Sequence, residues 1–223
     1  MAELEKIATD ILTGLTDRHL VDVALSQNSR AQNSILVHQK ALKPFLDLKT
    51  EAAKQGFDMC ICSGFRSFDR QMLIWNQKLL GERPVIDELG DPINMPQLDP
   101  WQQIQAVLRW SALPGTSRHH WGSDFDVYDA HAMPEGYQVQ LTTDECEGDG
   151  GFAPMHEWLS SVFTKGQECS KGFYRPYAVD RGGVSSEPWH ISYAPISNSC
   201  AQQLTTDIVK HQLLNNLELV NLD

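Results

Sequence analysis

Segments of helical period and segments of strand period follow one another along this chain in no regular alternation, a pattern that indicates an α+β domain. Ile7, Ile11, Leu12 and Leu15 recur at helical spacing and predict an amphipathic helix over residues 3–16. The polar stretch Ser26–Ser34 reads as loop. Pro44 predicts the first turn of a second helix, with Phe45, Leu48 and Ala52 on its face and a stop at Gly56. Phe57–Cys62 then alternates, Phe57, Met59 and Ile61 on one side and Asp58, Cys60 and Cys62 on the other, which is strand period. A third helix carries Met72, Trp75 and Leu79, and Asp99-Pro100 opens a fourth that runs to about Trp110. Strands are predicted over Ser123–Tyr128 and Trp189–Tyr193, and helices over Met155–Phe163 and in the tail through Leu204, Ile208 and Val209. Residues 81–99, rich in acids, glycine and proline, predict a surface loop or lid. With no internal repeat and no linker, residues 1–223 read as a single domain.

Composition narrows the partners. Eighteen Lys plus Arg against 29 Asp plus Glu leave a net charge of −11, and the cations are not clustered, which disfavours nucleic acid. No apolar run approaches the roughly 18–20 residues of a membrane span. The N-terminal segment is acidic where a signal peptide is basic, so the expectation is a cytoplasmic protein, periplasmic if an export signal has been trimmed, with no membrane partner. None of the five cysteines falls in a CxxC pair, and Cys60 and Cys62 share one strand face. Reduced cysteines filling apolar space are expected.

Two short segments concentrate groups that are costly to gather without purpose: Ser117-Arg118-His119-His120-Trp121-Gly122-Ser123-Asp124-Phe125-Asp126 and Glu187-Pro188-Trp189-His190. Taken singly, a histidine beside a tryptophan is commonly a packed side chain, and Asp-x-Asp is commonly a turn or a solvated strand face. Jointly, His119, Asp126 and the histidine of Glu-x-x-His could converge on one tetrahedral ion. Two imidazoles and one carboxylate leave a fourth position for water, the open coordination of a catalytic zinc. Glu187 is then free to accept a proton from that water.

Ser-x-His-x6-Asp followed by Glu-x-x-His resembles the zinc D-alanyl-D-alanine peptidases of the VanY-like family, within the wider lysostaphin, D-Ala-D-Ala peptidase and hedgehog group. Ser117, His119, Gly122 and Asp126 match the first motif, and Glu187, Trp189 and His190 the second. Upstream, Ser63-Gly64-Phe65-Arg66-Ser67 with Gln71 looks like the family's Arg-Ser-x-x-x-Gln signature. The resemblance covers residues 63–190, and the motif-bearing core is about 40–196. It implies a small, mainly antiparallel sheet flanked by helices, carrying one zinc ion per chain on His119, Asp126 and His190. It implies Glu187 as general base and then acid, Arg66 as donor to the developing oxyanion, and Ser117 and Gln71 as substrate contacts. Arg118 and Arg181, each in a motif loop, are the candidates for reading a terminal carboxylate.

Asp124 departs from the family, which usually has a small apolar residue there. It shares a strand face with Asp126 and is left as either a competing ligand or an orienter of one. His120 is assigned to packing or a substrate-side contact. The activity implied is removal of a C-terminal D-alanine from peptidoglycan stem peptides. A cytoplasmic location leans this towards L,D-carboxypeptidase action on recycled tetrapeptides, with D,D-carboxypeptidase action close behind. The alternatives are a peptidoglycan endopeptidase of phage-lysin type and a non-catalytic zinc-stabilised binding domain. Oligomeric state is left open.

Overall fold

Strand-period sequence does become sheet, and the sheet has two chemically opposite faces. The computed structural model describes residues 5–23, 35–87 and 90–215. Its main sheet holds four strands: β3 (Met59–Ser63), β4 (Asp124–Asp129), β5 (Phe173–Tyr174) and β6 (His190–Tyr193). Their order is β3-β4-β6-β5, and every neighbouring pair is antiparallel. A separate pair, β1 (Leu20–Val23) with β2 (Ile35–His38), is also antiparallel.

Alternation sorts the side chains of the main sheet. Met59, Ile61, Phe125, Val127 and Ile191 face one way and enter the main core. They pack against Phe45, Leu48 and Ala52 of α2 (Gln39–Ala53) and Met155, Leu159 and Val162 of α6 (Ala153–Thr164). Phe45 meets Phe125 edge-on at 5.4 Å between ring centroids. The opposite face carries Asp124, Asp126, His190 and Ser192, all buried. A second core joins Phe68, Met72, Trp75 and Leu79 of α3 (Phe68–Leu79) to Val107 of α4 (Pro100–Leu108).

Several boundaries differ from the sequence expectations. The first helix, α1 (Thr9–Leu12), is a single turn and does not span residues 5–16. Gly14 turns the chain at φ +78°, against the His120 ring where a Cβ would collide. Leu15 consequently stays exposed, while Leu12 packs with Trp121 and Cys200. Helix α2 begins at Gln39, so Pro44 lies inside it rather than in its first turn. The start is set by His38, whose Nδ1 accepts a hydrogen bond from the Lys40 amide at 3.1 Å, a cap outside the usual Ser, Thr, Asp and Asn set.

Asp99 does form the expected cap, accepting from the Gln102 amide at 2.9 Å, while its own N–H donates to Gln102 Oε1 at 3.1 Å. The short helices α5 (Thr143–Cys146) and α7 (Gln167–Ser170) flank α6, and the predicted helix through Leu204 is two helices, α8 (Ala194–Gln203) and α9 (Thr206–Leu214), with Leu204 between them. The predicted loop Ser26–Ser34 and the ends of the chain, residues 1–4 and 216–223, lie outside the described residues. Within the 81–99 segment, Val85 and Met95 are anchored in the second core. Cys60, Cys146 and Cys200 are buried as expected, whereas Cys62 and Cys169 are exposed. Among the described residues no helix is long and apolar enough to cross a membrane.

Candidate metal centre

Strand register assembles the site. Asp126 on β4 lies directly opposite His190 on β6, so an antiparallel pair puts both side chains on one face. The chain enters β4 from a 3-10 turn, Arg118–Trp121, that delivers His119, and Gly122 closes this turn at φ +65°. His119 Nε2 stands 3.3 Å from Asp126 Oδ2, and His190 Nδ1 stands 3.3 Å from Asp126 Oδ1. The two rings are 4.8 Å apart. One donor atom from each of the three residues lies within 4.8 Å of the others, and all three residues are buried.

The far nitrogens of both rings are already used. His119 Nδ1 donates to the Gly64 carbonyl at 2.9 Å, and His190 Nε2 donates to Asp124 Oδ1 at 3.0 Å. These bonds fix the ring orientations and leave His119 Nε2 and His190 Nδ1 facing Asp126. Asp124 is therefore placed as an orienter of His190. It is enclosed besides by Arg118 Nε at 2.7 Å and Ser123 Oγ at 3.0 Å.

The residues fit a divalent cation on two observations. Asp126 Oδ1 is buried without a hydrogen-bond partner, although His190 Nδ1 is near it. Tetrahedral donors about 2.0–2.1 Å from zinc lie about 3.3 Å from one another, the distance each imidazole keeps to one oxygen of Asp126. Electrostatics agrees. Burial alone would raise the Asp126 carboxyl, yet the imidazoles of His119 and His190 hold it far below the usual carboxylate range. Burial alone would lower His190, yet Asp124, Asp126 and Glu187 drive it well above the usual imidazole range. Three carboxylates crowd one ring, and Arg118 offsets only one of them.

Glu187 Oε2 is 3.3 Å from His190 Nδ1 and lines a cavity of about 420 Å³. Ser117, Arg66, His119, Asp126 and His190 line it too. Arg66 donates to Gln71 Oε1 at 3.0 Å and to Ser63 Oγ at 3.3 Å. Gln71 does not reach the cavity as a substrate contact would: it is fully buried, its amide donating to the Ala112 carbonyl at 2.6 Å, and it holds Arg66. Arg118 borders the cavity, but its guanidinium is occupied by Asp124, by Tyr174 at 2.9 Å and by Ser192 at 2.8 Å. Arg181 is exposed and is not among the lining residues. His120 packs: its Nδ1 donates to the Arg66 carbonyl and its Nε2 accepts from the Gly115 amide at 3.0 Å.

The sequence did not point to Lys78, Arg83, Trp110 and Tyr177, which also line the cavity. Tyr177 meets the His190 ring edge-on at 4.9 Å. One signal was available: Gln71, Ile74 and Lys78 share a face of α3 at helical spacing, and that face runs from Arg66 along the cavity wall.

Two imidazoles and an aspartate gathered on a sheet face, beside a glutamate in the same cavity, are a donor set that could hold a divalent ion. The chain belongs to the VanY family of D-alanyl-D-alanine carboxypeptidases, whose model matches residues 34–196. It is 45% identical over 108 residues to an uncharacterized protein of Haemophilus influenzae, covering 48% of this chain and 71% of that one. A second Haemophilus influenzae protein is 32% identical over 99 residues, 44% of this chain and 72% of that one. Among solved structures it is similar to VanYB in complex with D-alanine-D-alanine, with a TM-score of 0.52, 21% identity and 88% of each chain covered. The VanY D,D-pentapeptidase of the VanB-type resistance cassette in complex with Zn(II) gives 0.52 and 21%, covering 84% of this chain and 86% of that one. The LdcB LD-carboxypeptidase gives 0.52 and 20%, covering 86% and 78%. At these identities the structures share the fold, a single domain of mixed helices and small antiparallel sheets.

Proposed function

We propose that this protein is a zinc-dependent carboxypeptidase that releases a terminal D-alanine from peptidoglycan stem peptides. The observation that carries it is the cross-strand pair Asp126–His190, with His119 alongside and an orphaned carboxylate oxygen between buried donors. Family membership supports the peptidase activity, and structural neighbours bound to Zn(II) and to D-alanine-D-alanine support the ion and the substrate class.

His119, Asp126 and His190 would hold the ion, which when bound acidifies a water ligand and polarises the scissile carbonyl. Glu187 takes the proton from the attacking water and passes it to the departing amine. Arg66, held in place by Gln71 and Ser63, donates to the oxygen that gains negative charge. Ser117 contributes a buried hydroxyl beside the peptide. Arg118 serves through Asp124, fixing the carboxylate that fixes His190.

Within this activity, tetrapeptide trimming (the L,D reaction) is the first assignment and pentapeptide trimming (the D,D reaction) the second. The test is to incubate zinc-loaded protein with each stem peptide and weigh the products. Loss of one terminal alanine, abolished by a chelator and restored by zinc, is expected. Glu187→Ala should keep its zinc and lose at least about 100-fold in kcat. Activity untouched by chelation, or cleavage only at internal bonds, would overturn the assignment.

A further inference from the structure

A carboxypeptidase must recognise a free chain end, and neither arginine that the sequence suggested for it is positioned to do so: Arg118 borders the cavity but is spent on Asp124, and Arg181 lies outside the cavity. Two other cations border the cavity. Lys78 is in the last turn of α3, and Arg83 lies four residues beyond the end of that helix. Lys78 Nζ donates to a neutral partner, Ser111 Oγ, at 2.8 Å, and neither cation meets a carboxylate among the described residues.

Their position fits the substrate. Gln71, which grips Arg66, and Lys78 lie seven residues apart on one helix face, a rise of about 10 Å. Helical side chains lean towards the helix N-terminus, so the Lys78 stem points back along the wall towards Arg66. A peptide whose scissile carbonyl lies between Glu187 and Arg66 therefore needs only one further residue to bring its terminal carboxylate within reach. Mutual repulsion supports the same conclusion. Burial, together with the Arg83 and Arg66 charges, lowers the Lys78 ammonium to about 8, a strain that an anion between them would relieve.

From this placement we infer that Lys78 and Arg83 form the subsite for the free C-terminal carboxylate of the substrate. The inference rests on the peptidase reading above and deepens it: the site removes terminal residues because it demands a chain end.

Binding separates the two claims. The probes are Nα,Nε-diacetyl-L-Lys-D-Ala, the chain end that the L,D reaction requires, and its C-terminal amide, titrated calorimetrically into zinc-supplied Glu187→Ala protein. The acid contains no other carboxylate, so a preference for it reports the chain end alone. It should bind about tenfold or more tightly than the amide, as a charge-assisted bond requires. Lys78→Met and Arg83→Ala should each remove most of that preference while leaving the amide's affinity unchanged. Lys78→Arg should retain the preference, and it keeps the question decidable if the methionine variant fails to fold. Equal binding of acid and amide, no binding of the acid, or variants that weaken both ligands alike would overturn the inference. If the preference is present but wild-type protein hydrolyses neither stem peptide, the subsite stands and the peptidase reading falls.

Discussion

Asp124 and Asp126 stand two positions apart on one strand face and differ in everything around them. Asp124 is fully enclosed by Arg118, Ser123 and His190, with no oxygen to spare for an ion. Burial pushes its carboxyl up, and the Arg118 and His190 contacts more than reverse this. Asp126 keeps one buried oxygen without a hydrogen-bond partner. Substitution should therefore separate a ligand from an orienter. Asp126→Ala should abolish stoichiometric zinc. Asp124→Asn should retain zinc but weaken its affinity about 10–100-fold, because His190 loses the charge that fixes its ring orientation. Elemental analysis and a competitive zinc titration of both variants check this, and the reverse ranking would exchange the two roles. Motif spacing alone points to His119, Asp126, His190 and Glu187. It says nothing of the inward turn of Gln71 or of what Arg118 grips, because both depend on chain segments far away: Ala112 for one, Tyr174 and Ser192 for the other.

Elements set the accuracy of the site more than any single side chain does. The β4–β6 register puts Asp126 opposite His190, and the turn before β4 must deliver His119 to the same face. Gly122 makes that possible. It has a left-handed backbone and lies against β1 and β2, where a Cβ would collide with the Leu20 side chain and come within 3.0 Å of the His38 amide. Its carbonyl accepts the His38 N–H at 2.6 Å. Gly122→Ala should therefore cost about 1–3 kcal/mol of stability and loosen zinc binding as His119 moves. Denaturant unfolding with a parallel metal titration tests this; a stable variant with normal affinity would show that the turn tolerates a side chain. The strong strand periods of β3 and β4 and the apolar faces of α2, α3 and α6 were visible in the sequence because each buries a full face. Strands β1, β2 and β5 were not: β5 has only two residues, and β1 and β2, paired with each other, are mostly half-buried and bury no full apolar face that an alternation count could find. The bulge at Cys62, where β3 slips against β4 between Ile61 and Ser63, is also invisible to an alternation count.

At the scale of the whole molecule, an acidic chain of net charge −11 keeps an imidazole and a guanidinium side by side in its interior. Arg175 donates to the Pro188 carbonyl at 2.7 Å and to the His156 carbonyl at 2.9 Å, and its guanidinium lies over the Phe163 ring. It thus ties α6 to the segment that carries Glu187 and His190. His156 Nδ1 is 3.5 Å from the Arg175 guanidinium, and its Nε2 is buried without a hydrogen-bond partner. Burial first, and the Arg175 charge second, lower the His156 imidazole from 6.5 to about 3. Between those values the unfolded chain binds a proton at this position that the folded chain refuses. Folding stability must therefore fall as the pH drops below about 6.5, losing about 2–3 kcal/mol from this residue alone by pH 4.5. His156→Leu removes the titrating group, and the Arg175 bonds to the backbone carbonyls can persist. Metal-free protein should be unfolded in denaturant at pH 7.0 and pH 4.5, so that loss of the ion does not contribute. The wild type should lose about 2–3 kcal/mol more than the variant across that interval. Equal losses would mean that His156 titrates near its ordinary value and that α6 is not clamped to the segment that carries Glu187 and His190 as tightly as these contacts require.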